Sequence, residues 1–335
     1  MNIKTIILAA SVALLCSCAQ TVTTDTADIA KAAFDAWVTV NNDGSWEKTP
    51  LGSWIISYTP GPQTEPLGSR TDNPYFLANY LITDKAGTIS SYSYEQIAKQ
   101  LGTYKPYYYY GPVPITRVEG YQFAGLEEIF SRLYVGDRVK VVIPDWLLSN
   151  KELGSAAEYE KTATSSAATI YDFTVEAAIP SLAEYQEALI RAVMTEPCDT
   201  LAEGLYYCRE KEGNPEAVIS SGNTVEVIYT CRRIDGQVVD TNIDSLARAT
   251  FGIEKKGASF KPMQVKWADD FKSLALSSGG NLISGFKQAL FNMKKGEKGT
   301  AYMYCDHAYG SSGSGMAIPA YCPLIFELEI VGDEE

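Results

Sequence analysis

GLEEIFSRLYVGDR (125–138) and GFKQALFNMKKGEK (285–298) match at a constant offset of 160 residues, and this internal repeat decides the fold. In the first copy Leu126, Ile129, Phe130 and Leu133 fall at i, i+3, i+4 and i+7; in the second, Phe286, Ala289, Leu290 and Met293 do the same. Each segment is therefore a short amphipathic helix with one apolar stripe. Gly136 and Gly296 are expected to end these helices in the left-handed C′ conformation. Strand-like runs follow, VKVVI (139–143) and TAYMY (300–304). Upstream, Asn79-Tyr80 with Gly87 seven residues on parallels Ile228-Tyr229 with Gly236, each a strand, a turn and a strand. Farther upstream, Gly52–Ile56 and Gly204–Tyr207 read as first strands, and each follows a helix. Ala27–Val38 presents Ile29, Ala33, Phe34 and Trp37. Ser181 to Glu184 is a capping box opening a helix with Leu182, Tyr185, Leu189 and Val193 on one side. The reading is an α+β chain of two tandem domains, 28–180 and 181–335, each preceded by an additional helix, with Pro180 closing the first.

Composition narrows the function. The 335 residues are 46% hydrophobic and 21% charged, an ordinary globular balance. With 28 Lys+Arg against 41 Asp+Glu, the net charge of −13 and the lack of a basic stretch exclude a nucleic-acid partner. A single histidine, His307, argues against His-ligated metal and His-based nucleophilic catalysis, and no CxxC pair suggests zinc. No metal and no cofactor are expected.

The N-terminus sets the expected compartment. Lys4 and the apolar run Ile6–Leu15 are too short to span a bilayer but suit an export signal, residues 1–17. The run ends LCSC (15–18), which resembles the bacterial lipobox and marks Cys18 as the lipidated residue; the alternative is an ordinary cleavable signal ending near Ala19. Residues 18–27 are polar and Thr-rich, a flexible tether. The expected location is the bacterial envelope, lipid-anchored, on the periplasmic side of an outer membrane. Five cysteines remain beyond the anchor, with one or two disulfides expected and the pairing open.

VEVIYT (225–230), DGQVVDT (235–241), LISGFKQALFNMKKGEK (282–298), DHAYG (306–310) and AIPAYCPLIFELEI (317–330) occur in an order and at spacings that resemble the FKBP family of peptidyl-prolyl cis-trans isomerases. The resemblance covers about a third of the chain. It implies a twisted antiparallel sheet wrapped around the short helix, with a hydrophobic pocket for a proline ring and proline-containing polypeptides as substrates. On the matching positions, it assigns catalytic roles to Asp240, Tyr309 and Phe326, and substrate binding to Tyr229, Val239, Leu282, Ile283, Phe286 and Ile318. The Tyr309 hydroxyl and the Ile318 backbone N–H would meet substrate carbonyls. Three departures stand out: Val239 where an aromatic is usual, Phe286 in place of Trp on the pocket floor, and a longer stretch from 241 to 280 that would reshape or cover the groove.

Isomerisation is chemistry that such a chain can perform. Amide resonance sets a barrier of roughly 18–20 kcal/mol, and an apolar wall that favours the twisted amide needs no proton, metal or nucleotide. The implied function is a membrane-anchored isomerase assisting exported proteins to fold, with activity in the C-terminal domain. The alternative is a noncatalytic lipoprotein of the same architecture that binds polypeptides or a partner. In the first repeat, Ser91 stands in the place of Asp240 and Leu148 in that of Tyr309, so that copy is expected to be degenerate. GSSGSG (310–315) has no following helix to make it a phosphate loop, His307 reads as a solvated loop residue, and the tyrosines 107–110 suit sugar or peptide binding or plain edge packing.

Overall fold

The computed structural model describes residues 25–195, 197–252 and 260–332, so the expected signal and the Cys18 anchor lie outside the described residues. The chain opens with helix α1 (Thr26–Asn41), capped by Asp25, whose carboxylate accepts from the Ala27 N–H. A first sheet follows, made of β1 (Glu47–Lys48), β2 (Trp54–Thr59), β3 (Tyr75–Asp84), β4 (Ile89–Tyr92), β5 (Val113–Thr116), β6 (Arg138–Pro144) and β7 (Ala168–Ile179). Helices α2 (Glu95–Gln100), α3 (Ala124–Phe130) and α4 (Ala156–Glu160) lie in its connections. Next come α5 (Leu182–Arg191) and the second sheet: β8 (Asp199–Ala202), β9 (Leu205–Lys211), β10 (Thr224–Arg233), β11 (Val238–Thr241), β12 (Met263–Lys266), β13 (Ala275–Leu276), β14 (Lys298–Met303) and β15 (Leu324–Ile330). Here α6 (Asp244–Phe251) follows β11 and α7 (Ser284–Phe291) precedes β14.

The two sheets share one topology. The first runs β1-β2-β6-β7-β3-β4, and the second runs β8-β9-β14-β15-β10, with β12 and β13 beyond and β11 hydrogen-bonded to β10. Even the side pairings repeat: β5 pairs with the start of β3, and β12 with the start of β10. The added segment between Thr241 and Gly280 contributes α6 and the extra edge strand β13, which pairs with β12.

The repeat helices α3 and α7 lie against their sheets so closely that their glycines are forced. A Cβ on Gly125 would stand 2.7 Å from the Ile143 side chain, and one on Gly285 would stand 2.7 Å from the Met303 sulfur. Buried Leu126, Ile129 and Phe130, and Phe286, Ala289 and Leu290, form the stripes that face the two cores. Burying a phenylalanine such as Phe286 is worth about 1.5–3 kcal/mol.

Two sequence expectations need correction. The helices end at Phe130 and Phe291, several residues before the glycines; Gly136 (φ +90°) and Gly296 (φ +79°) instead turn the chain into the next strand. The residue after each glycine explains that turn. Asp137 and Glu297 are fully buried carboxylates. Asp137 accepts from the Tyr58 hydroxyl (2.8 Å) and the Tyr134 N–H (2.8 Å), while Glu297 accepts from the Tyr207 hydroxyl (2.9 Å) and the Lys294 N–H (3.1 Å). Each thus ties the helix-to-strand turn to the first long strand of its sheet. The buried faces of the leading helices also differ from expectation. Helix α1 buries Ala27, Ala30, Phe34 and Val38, leaving Ile29 57% exposed; α5 buries Gln186 and Ile190, leaving Val193 exposed. In α5 a polar residue holds the inward position because Gln186 has work there: its amide oxygen accepts from the Cys305 N–H at 2.7 Å.

The tyrosine run 107–110 reaches across to the second repeat. The Tyr109 N–H donates to the Met316 carbonyl (2.8 Å), Tyr107 packs edge-on against Phe251, and Tyr75 does the same against Tyr321. A disulfide joins Cys198 to Cys208 beside β8 and β9, leaving Cys231, Cys305 and Cys322 as free thiols. Among the described residues, no helix is long and apolar enough to cross a membrane.

Candidate functional site

Strand β10 alternates inward and outward, and its inward side carries Tyr229, Cys231 and Arg233. Strand β11 runs antiparallel to it with Asp240 opposite Cys231, which brings the Asp240 carboxylate beside Tyr229. The Tyr229 hydroxyl donates to Asp240 Oδ2 at 2.7 Å. Beneath this pair, α7 supplies Phe286 and β15 supplies Phe326. Tyr229 and Phe286 meet edge-on at 6.0 Å, Phe286 and Phe326 at 5.4 Å, and Tyr229 lies tilted over Phe326 at 6.5 Å. Edge-to-face aromatic pairs of this kind add about 0.5–1.5 kcal/mol beyond area burial, and they fix the wall as one piece.

Val239, Ile318, Phe286 and Phe326 are all buried in the same core, whereas Leu282 and Ile283 are half-buried at the entrance to α7. Tyr309 sits at the rim, 39% exposed. The structure therefore gathers Tyr229, Asp240, Phe286 and Phe326 by direct contact, with Val239 and Ile318 in the same apolar cluster. Burial raises the Tyr229 pKa, and the facing Asp240 carboxylate adds to it, so the phenol stays protonated as a donor. Burial likewise raises Tyr309, with Cys231 and Asp240 close enough to add to the effect. Cys231 is itself pushed well up by burial, an inert thiol whose place was readable from its period-two spacing behind Tyr229.

Ile318 lies in a loop rich in glycine. Gly310, Gly313 and Gly315 all take positive φ, and the Ile318 N–H donates to the Ser314 carbonyl at 3.3 Å. Next to Tyr229 opens a cleft of about 750 Å³ bounded by Asn242, Pro262, Met263, Gln264, Leu276 and Ser277. Met263 and Gln264 come from β12, Leu276 ends β13 and Ser277 follows it, so the longer 241–280 stretch builds one bank of the groove. His307 accepts no catalytic geometry: its Nε2 hydrogen-bonds to the Glu203 carbonyl at 2.8 Å. No cluster of metal-ligating side chains occurs among the described residues.

The first repeat keeps the frame and lacks the acid. Ser91 stands opposite Ile82 as Asp240 stands opposite Cys231, and its hydroxyl is 3.4 Å from the Tyr80 phenol. The one-turn 3-10 helices Asp145–Leu147 and Cys305–His307 correspond at the repeat offset, which sets Leu148 beside Ala308 and Ser149 beside Tyr309. That is one residue from the expected pairing of Leu148 with Tyr309, and no phenol occupies either place.

Residues 216–331 match the family model for FKBP-type peptidyl-prolyl cis-trans isomerase. The chain is 32% identical over 124 residues to FK506-binding protein 59 of Drosophila melanogaster, covering 36% of this chain and 22% of that protein. It is 28% identical over 131 residues to the macrophage infectivity potentiator of Trypanosoma cruzi, covering 39% and 54%. The chain thus spans about a fifth and about half of the length of these two relatives. A solved peptidyl-prolyl cis-trans isomerase of Pseudomonas syringae pv. tomato is 24% identical, with 45% of this chain and 92% of that chain covered and a TM-score of 0.33.

Proposed function

We propose, residues 216–331 being an FKBP-type domain, that this protein is a membrane-anchored peptidyl-prolyl cis-trans isomerase acting on exported polypeptides, with its activity in the C-terminal repeat. The observation that carries the reading is the Tyr229–Asp240 hydrogen bond set against the aromatic wall of Phe286 and Phe326. A prolyl ring entering over that wall leaves bulk water. As the amide twists, its nitrogen loses conjugation and its charge separation falls, so apolar surroundings favour the twisted state over the planar one relative to water. Each 1.36 kcal/mol of that preference is tenfold in rate. Tyr309 at the rim and the Ile318 N–H would orient the substrate carbonyls, the latter by replacing its long bond to Ser314. Asp240 fixes the Tyr229 ring and keeps one edge of the site polar.

The remaining parts of the reading rest on other features. The Cys198–Cys208 disulfide fits an oxidising compartment, and the lipobox-like LCSC (15–18) marks Cys18 as the anchor. Residues 28–180 serve as a degenerate repeat with no isomerase pocket of their own, since Ser91 replaces the acid. Protease-coupled or NMR exchange measurement of a prolyl tetrapeptide tests the activity: residues 19–335 should accelerate exchange and Asp240→Ala should reduce it, whereas a background rate refutes the enzymatic reading. Cys18→Ala should move the protein to the soluble fraction; continued membrane association would refute the anchor.

A further inference from the structure

We infer that Arg233 is a positioning residue through which the first repeat holds the substrate-binding loop of the second; this rests on the isomerase reading above. Arg233 lies at the end of β10 with only 5% of its surface exposed, a rare state for arginine that requires its donors to be matched. They are. Nη1 donates to the Ala317 carbonyl at 2.8 Å and to the Tyr107 carbonyl at 3.1 Å, while Nε and Nη2 meet Asp235 Oδ2 at 3.2 and 2.9 Å. The guanidinium also lies over the Tyr109 ring, 5.3 Å from its centroid. Ala317 directly precedes Ile318, and the adjacent Met316 carbonyl is taken by the Tyr109 N–H at 2.8 Å. Two consecutive peptide units of the loop are therefore held by one side chain of β10 and one backbone segment of the other repeat.

The loop needs such support. Its internal bonds are local, among them Ser314 with Ile318 and Tyr321 with Gly310, and three glycines at positive φ leave it much conformational freedom. Orientation of the Ile318 N–H is set by the peptide plane that contains the Ala317 carbonyl, so fixing that carbonyl fixes the donor. The planar fork of arginine meets two carbonyls at Nη1 and a carboxylate at Nε and Nη2, a fixed spread of donors that the single nitrogen of a lysine does not reproduce. The tyrosine run is thereby accounted for as a brace between repeats.

The test uses the full chain. Arg233→Met, which keeps volume and removes the donors, should lower kcat/KM on a prolyl tetrapeptide by about tenfold and shift the Ile318 amide resonance, with the Phe286 resonances unmoved. Arg233→Lys should recover part of the rate. Tyr109→Ala, in the other repeat, should give a smaller loss and move the same amide. A folded Arg233→Met protein with the wild-type rate, or a loss of rate with the Ile318 amide unmoved, overturns the inference. Should Arg233→Met fail to fold, Tyr109→Ala decides, and a wild-type rate and amide position there overturn it equally. If the wild-type chain itself proves inactive, the isomerase reading fails alone; prolyl-peptide titration followed at the Ile318 amide in the same variants still reads the positioning, and unchanged affinity and shift would refute it.

Discussion

Removing the hydroxyl of Tyr229 should disconnect the polar edge of the pocket from its aromatic wall. Tyr229→Phe keeps the ring contacts to Phe286 and Phe326 and deletes one bond, the 2.7 Å donation to Asp240. A hydrogen bond to a charged group is worth about 1.5–3 kcal/mol. Tyr229 and Asp240 are both half-buried, so water recovers part of the loss and the lower end, about 1.5 kcal/mol, applies. For a domain of this size that is a fall in Tm of about 3–6 °C, and a drop in kcat/KM of up to about tenfold. A double-mutant cycle with Asp240→Ala isolates the bond: urea titration followed through the amides of the second sheet should give a coupling of about 1.5 kcal/mol. Strict additivity of the two substitutions, within about 0.5 kcal/mol, would refute the claim that the two residues act as a unit.

Tyr309→Phe should lower kcat/KM by about three- to tenfold with little change in Tm, because the ring stands at the rim; Leu148→Ala should leave kcat/KM unchanged, and an equal loss from both would overturn the division of labour between repeats. Reduction of Cys198–Cys208, or Cys208→Ala, opens a loop of ten residues and should cost about 3 kcal/mol, read as a fall in Tm; an unchanged Tm would contradict it. Burial pushes Cys305, Cys322, Tyr109 and Tyr171 each up to about 12, so the folded chain favours their neutral forms. Their contribution is complete below the ordinary thiol and phenol values, about 8.5 and 10, and is lost as pH rises toward 12. Urea midpoints should therefore hold steady to about pH 8.5 and fall above it; midpoints unchanged at pH 12 would refute this.

The repeat was legible because it is written in short-range pattern. Apolar spacing located α3 and α7, and the strand-turn-strand units were given by alternation around Gly87 and Gly236. The resemblance put Tyr229 and Asp240 in one pocket, but the bond between them appears only once the β10–β11 register sets Asp240 opposite Cys231. Long-range contacts left no such trace. Arg233 reads as an ordinary strand-end charge until Tyr107, 126 positions away, and Ala317, 84 away, are brought to it. Asp137 and Glu297 look like solvated turn acids after a glycine, yet both are fully buried. Helix α5 misled for the same reason: its inward side is chosen by Gln186 bonding to Cys305, 119 residues on, against the hydrophobic periodicity of Tyr185 and Leu189.

In both sheets the strand that comes last in the chain lies in the middle: β7 between β6 and β3, and β15 between β14 and β10. A ribosome delivering this chain from its N-terminus would release each repeat as two unjoined halves until the final strand emerged. During that interval β3 with β4, and β10 with β11, would present open edges able to pair with strands of other chains. Vectorial synthesis thus makes the last strand of each repeat a switch for solubility, and a nascent chain halted before residue 324 would keep an open second sheet beside a closed first one.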